Sequence, residues 1–146
     1  MASENARLQM GQVERLLIVE DQRDDQLRTS EIARAIGIGI IEARSSCAAA
    51  RSFIEQGLRG EVSLPGAIVL DLDLGYESGH EFLRFWYMTP GASKIPLIVW
   101  SRLGGDHKQI CEAFKINGFV SKHDGMEVLR EALMALGDAG FDERDK

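Results

Sequence analysis

Five residue positions in this 146-residue chain stand where apolar runs stop. Leu16-Leu17-Ile18-Val19 gives way to Glu20-Asp21, and Ala67-Ile68-Val69-Leu70 gives way to Asp71. Pro96-Leu97-Ile98-Val99-Trp100 stops at Ser101, and Gly118-Phe119-Val120-Ser121 stops at Lys122. Short apolar runs of this kind read as buried strands. Strands ending in three carboxylates, a hydroxyl and an ammonium offer hard oxygen ligands for a divalent cation beside a donor and a cation for phosphate oxygens. The chemistry to expect is metal-assisted handling of a phosphoryl group.

The elements that must position these residues follow from the alternation of short apolar runs with amphipathic stretches, repeated five times. That alternation marks a parallel sheet flanked by helices. Strands are expected at about 15–20, 38–42, 66–71, 96–101 and 118–122, and helices at about 24–36, 46–57, 79–88, 107–117 and 125–136. Ser45-Ser46 supplies a cap for the second helix, Pro65-Gly66 punctuates the entry to the third strand, and Asn117-Gly118 fits a helix stop. Met126, Leu129, Leu133 and Leu136 form one stripe on the last helix. The polar run Gln22-Arg23-Asp24-Asp25 offers cap candidates for the first helix.

Five β-α units this short suit a flavodoxin-like doubly wound five-stranded parallel sheet of order 2-1-3-4-5 with five flanking helices, which binds ligands at the carboxyl rim beside the switch between strands one and three. In that order Asp71 lies one strand spacing, roughly 5 Å, from Glu20-Asp21 and from Ser101, and two spacings, roughly 10 Å, from Lys122. A lysine stem spans most of that gap, so the four strand ends form one site.

Composition bounds the rest. The length fits one domain able to bury a core without staples. Residues 1–13 read as an N-terminal tail, 14–137 as the domain and 138–146 as an acidic-rich C-terminal tail. Charged tails at both ends fit a complete small protein. The formal net charge of -6 speaks against nucleic acid as the main ligand. No apolar run approaches a membrane span and the N-terminus has no signal-peptide core, so a cytoplasmic protein with no membrane partner is expected. Cys47 and Cys111 lack metal-ligand spacing and fall on apolar helical positions, as buried thiols do. His80, His107 and His123 are scattered on loops and helix starts and read as exposed. Phe82, Phe85, Trp86 and Tyr87 follow helical spacing and read as packing of the third helix. Gly37-Ile38-Gly39 precedes a strand rather than following one, so it is a turn and not a dinucleotide fingerprint.

Over about residues 14 to 137 the chain resembles the receiver domains of two-component response regulators. The resemblance is carried by Leu17-Ile18-Val19-Glu20-Asp21 for the acidic pair and Ile68-Val69-Leu70-Asp71-Leu72-Asp73-Leu74 for the phospho-acceptor strand. Gly79 lies eight residues after Asp71, Ser101 closes the fourth strand, and Phe119 precedes Lys122 by three. It implies Asp71 as phospho-acceptor, and Mg²⁺ held by Asp21 and Asp71, by Glu20 directly or through water, and by the Asp73 backbone carbonyl. Ser101 and Lys122 would bind phosphoryl oxygens, and Ser101 and Phe119 would form the switch. The phosphodonor would be a histidine kinase or a phosphotransfer protein. With no effector sequence after the last helix, the expected output is a protein contact, to a downstream target or a second copy. It would be made through the face of the fourth helix, fifth strand and fifth helix, around Ile110, Phe114, Lys115, Met126 and Arg130. Such a chain is a signalling domain and not a turnover enzyme.

Three positions depart from the family pattern. Gly75 stands where proline is common, Arg102 replaces a small residue after the hydroxyl position, and His123 follows Lys122 where many members carry proline, which makes a trans peptide the expectation there. Each site residue alone also has a plain reading: Asp71-Leu72-Asp73 as a turn and cap cluster, Ser101 as a strand-end hydroxyl, Lys122 as a solvated charge. Two other functions remain open. One is a pseudo-receiver that binds partners without phosphorylation, a reading Arg102 and His123 support. The other is a phosphohydrolase using Asp71 and Asp73 as nucleophile and acid, although there the nucleophile normally precedes the other acidic motifs.

Overall fold

In a computed structural model, which describes residues 13–102 and 104–145, the strands are β1 (Arg15–Val19), β2 (Ile40–Arg44), β3 (Ala67–Leu70), β4 (Leu97–Ser101) and β5 (Gly118–Ser121). They form one parallel sheet of order β2-β1-β3-β4-β5, as expected. The helices are α1 (Arg23–Ala35), α2 (Cys47–Leu58), α3 (His80–Met88), α4 (Gly105–Ala113) and α5 (Met126–Asp145). A single helical turn at Pro90–Ser93 and a 3-10 turn at Lys122–Asp124 complete the set.

The β1, β3 and β4 runs are apolar because both faces of the sheet are covered. Leu17, Val19, Ile68, Leu70, Leu97 and Val99 pack with α2 and α3 on one side. Leu16, Ile18, Val69, Ile98 and Trp100 pack with α1 and α5 on the other. The edge strand β2 is mixed, Ile-Ile-Glu-Ala-Arg, and only partly buried. No helix among the described residues is long and apolar enough to cross a membrane.

Boundaries differ where local signals misled. Strand β2 begins two residues late, because Ile38, though buried, belongs to the turn after Gly37, whose φ is +101°. Helix α4 ends at Ala113 rather than 117, with Lys115 left-handed at φ 61°. Asn117 instead accepts the Leu97 N–H through Oδ1 at 2.9 Å. Helix α5 runs past 136 to Asp145, through much of the segment expected as a tail. Gly137 and Gly140 do not stop it, since a helical glycine costs only about 1 kcal/mol relative to alanine. Most of the expected N-terminal tail lies outside the described residues. Val13, at its end, is buried in the α1/α5 core.

Candidate phosphoryl and metal site

The sheet register builds the site. Val19 pairs with Leu70 and Leu70 with Val99, so the residues that follow come side by side at the carboxyl rim. The Asp71 N–H still donates to Val19 O at 2.9 Å, and the Glu20 N–H to Arg44 O at 3.0 Å. Chain connections diverge on either side of β1, toward β2 and toward β3, which opens the crevice at that rim.

Lys122 reaches from the end of β5 into this crevice and donates to Glu20 Oε1 at 2.7 Å, Asp25 Oδ2 at 2.7 Å and Asp71 Oδ2 at 3.0 Å. Its side chain is 6% exposed, and Nζ also lies 4.6 Å from the centre of the Trp100 ring. The second oxygens are used too. Asp71 Oδ1 accepts the Asp73 N–H at 3.1 Å, and Glu20 Oε2 the Gln22 N–H at 3.1 Å. The solvated reading of Lys122 is therefore excluded.

One ammonium cannot neutralise three buried carboxylates. Burial pushes the Glu20 carboxyl up to about 8; the hydrogen bond from Lys122 opposes that rise and the charge of Asp71 adds to it. Burial works against the charge of Lys122, but hydrogen bonds to Asp25 and Glu20 and the charge of Asp71 outweigh it and hold the ammonium above its ordinary value.

Ligand atoms of Glu20, Asp21 and Asp71 all lie within 4.8 Å of one another. Asp21 Oδ1 is buried without a hydrogen-bond partner. An orphaned buried carboxylate oxygen is costly unless something completes it, and a divalent cation on these hard oxygens would do so. The residues present therefore fit such an ion. A second group, Cys47, Glu77 and Glu81, also brings three donor atoms together. There burial pushes the Cys47 thiol up to about 12, and Glu77 already accepts the Cys47 N–H at 3.1 Å at the start of α2. That group closes a helix end.

The loop from Asp71 to Gly79 is tightly drawn. Gly79 donates its N–H to Leu72 O at 2.8 Å, and a Cβ on it would press on Asp71 O and stand 2.8 Å from Leu72 Cα. That close approach explains glycine eight residues after Asp71. Gly75 adopts φ +77°, which proline could not. The Asp73 side chain is exposed, and its Oδ1 accepts the Gly75 N–H at 3.3 Å. Ser101 is fully buried at the end of β4, and Phe119 is half-buried against the α2/α3 core. His123 is exposed, and no described peptide bond is cis.

Asp25 was not legible as a site residue. The run it belongs to does not cap α1 through a side chain, since the cap position Gln22 makes no such bond. Asp25 instead heads the buried stripe Asp25, Thr29, Ala33, and that spacing of four is the signal that marks it as inward. The histidines also depart from expectation: His80 and His107 are half-buried and lie together, ring centres 5.3 Å apart. Both cysteines are free and buried, and Phe82 and Trp86 pack the core as expected.

No protein-family model and no curated protein sequence matches the chain. Solved structures do. The chain is similar to the Mn²⁺-bound form of the response regulator Rcp1, with 23% identity over 84% of this chain and 91% of that one and a TM-score of 0.70. It is similar to the phosphorylated cyanobacterial phytochrome response regulator RcpA, with 21% identity, 85% and 91% coverage and a TM-score of 0.69. A signal receiver domain of a repressor protein from Vibrio parahaemolyticus matches with 20% identity, 90% and 95% coverage and a TM-score of 0.76. The chain thus has the flavodoxin-like fold of response-regulator receiver domains.

Proposed function

We propose that this chain is a receiver that accepts a phosphoryl group on Asp71 from a phosphohistidine of a histidine kinase or a phosphotransfer protein. The observation that carries this reading is the Lys122 ammonium 3.0 Å from the Asp71 carboxylate, beside the Glu20, Asp21 and Asp71 oxygens. A carboxylate oxygen of Asp71 forms the new P–O bond while the P–N bond of the donor breaks and its electron pair stays on the imidazole. The phosphoryl oxygens then accept from the Lys122 ammonium and the Ser101 hydroxyl, in charge-assisted hydrogen bonds available only after transfer.

Mg²⁺ held by Glu20, Asp21, Asp71 and the Asp73 carbonyl would supply charge neutralisation at the transferring oxygens. That the similar Rcp1 structure is a Mn²⁺-bound form supports a divalent ion in a chain of this fold. Asp71 accepts one phosphoryl group per chain, so the reaction is a signalling event and not turnover of an external substrate. Movement of Ser101 toward the phosphoryl group leaves space for Phe119 to turn inward, which reshapes the α4-β5-α5 face. Ile110 and Lys115 are exposed there, and Phe114, Met126 and Arg130 half-buried, available to a target protein or a second copy.

Intact-mass analysis after incubation with acetyl phosphate and Mg²⁺ tests this. One labile phosphoryl adduct, absent in Asp71→Asn and absent with chelator, is expected. No adduct from acetyl phosphate or from a phosphorylated histidine donor, with Mg²⁺ still bound, would contradict it and favour the pseudo-receiver.

A further inference from the structure

Lys122 has three protons to donate, and Glu20, Asp25 and Asp71 take all three. A phosphoryl oxygen on Asp71 can gain a bond from Lys122 only if one of these acceptors gives it up. Glu20 and Asp71 belong to the group of oxygens that fits a cation, so a bound ion offsets their charge. Asp25 lies outside that group.

Asp25 holds a second cation as well. Its Oδ2 stands 3.6 Å from Arg102 Nη2, and Arg102 directly follows Ser101 at the end of β4. The Asp25 side chain is 5% exposed while Arg102 is 59% exposed, so the carboxylate is fixed and the guanidinium is the mobile partner. Asp25 can spare both cations. It sits in the first turn of α1, where the helix dipole favours a negative charge, and its Oδ1 keeps Arg28 Nη1 at 3.8 Å.

We infer that Asp25 is a resident anion that competes with the Asp71-bound phosphoryl group for Lys122 and Arg102, and so sets how strongly the site holds that group. In the unphosphorylated chain Asp25 occupies the cations. Phosphorylation draws them across to the new oxygens and leaves Asp25 to Arg28 and the α1 N-terminus. Asp25 is thus a positioning residue: it acts through Lys122 and Arg102 and does not touch the reacting atoms. This inference rests on the receiver reading of Asp71.

The test is calorimetric titration with fluoroberyllate, an acyl-phosphate mimic, at saturating Mg²⁺. Asp25→Asn keeps the shape and removes the competing charge, so its affinity should exceed that of the unmodified chain by about tenfold, the worth of one charge-assisted hydrogen bond. A carboxylate that merely supported the fold would give no gain in affinity in a folded variant. Arg102→Ala should weaken binding, and more so in the Asp25→Asn background, where Arg102 is unclaimed. Equal or weaker binding by a folded Asp25→Asn would overturn the inference. If that variant fails to fold, unchanged binding by Arg102→Ala would overturn it instead. If the unmodified, folded chain binds Mg²⁺ but no fluoroberyllate, the receiver reading itself fails and the inference falls with it.

Discussion

Lys122 and Asp71 are joined by a 3.0 Å hydrogen bond across 51 residues of sequence, from the end of one strand to the end of another two places away in the sheet. Lys122 bonds Glu20 and Asp25 at the same time, so three buried carboxyl groups share a single ammonium.

Replacing Lys122 by Ala leaves those carboxylates without their shared cation. Breaking a buried ion pair from one side costs about 3–5 kcal/mol, so the metal-free variant should show a much lower urea midpoint than the unmodified chain. Divalent-cation binding should persist, because the ligand oxygens remain and the local charge is more negative. A midpoint within error of the parent would mean that the three hydrogen bonds do not form in solution.

The raised Glu20 carboxyl makes stability depend on pH with a definite sign. Its folded value of about 8 exceeds its ordinary value of 4.5. The metal-free folded state thus binds a proton more tightly than the unfolded state, and the associated stability, complete below 4.5, is lost as pH rises through about 8. Between about pH 6 and pH 9 the metal-free urea midpoint should fall, while divalent affinity should rise and then level off, because below about 8 the ion must displace that proton. Divalent affinity independent of pH across this range would contradict the assignment of Glu20 as a ligand.

Asp21→Asn separates a ligand from a structural acid. Asp21 Oδ1 is buried and unpartnered, so removing the charge should raise metal-free stability. The same change should lower divalent affinity by more than about tenfold, on the scale of one lost charged ligand. Chemical denaturation and calorimetry on one preparation read both. A loss of stability with unchanged metal affinity would make Asp21 a packing residue.

Gly79→Ala should cost about 1–3 kcal/mol, the usual range for overpacking, because the new Cβ meets the backbone of Asp71 and Leu72 and not a flexible side chain. The same displacement moves Asp71, so adduct yield with acetyl phosphate should fall together with the melting temperature. Gly104→Ala, where a Cβ meets nothing within 4 Å, is the control and should leave both near the parent values.

Most of the architecture was legible because β1, β3 and β4 are buried on both faces and read as continuous apolar runs, and a site residue at a strand end is placed by topology alone. Glu20, Asp21, Asp71, Ser101 and Lys122 reach one rim for that reason. Other features depend on information a strand pattern does not carry. Asp25 looked like part of a capping run, since an acid in the first helical turn is ordinary there, and only its spacing from Thr29 and Ala33 marks it as inward. The end of α4 was misplaced because Phe114 and Ile116 continue a helical apolar rhythm while packing from a turn. The proximity of His80 and His107 arises from two different helix starts meeting, which no local spacing encodes.

The central claim is that Asp71 forms an acyl phosphate, and borohydride trapping tests it most directly. Borohydride reduces an aspartyl phosphate to homoserine, so after treatment with a phosphodonor and Mg²⁺, peptide mass spectrometry should find homoserine at position 71 and nowhere else. Homoserine at position 73, or none in a chain that still binds the divalent ion, would contradict the account.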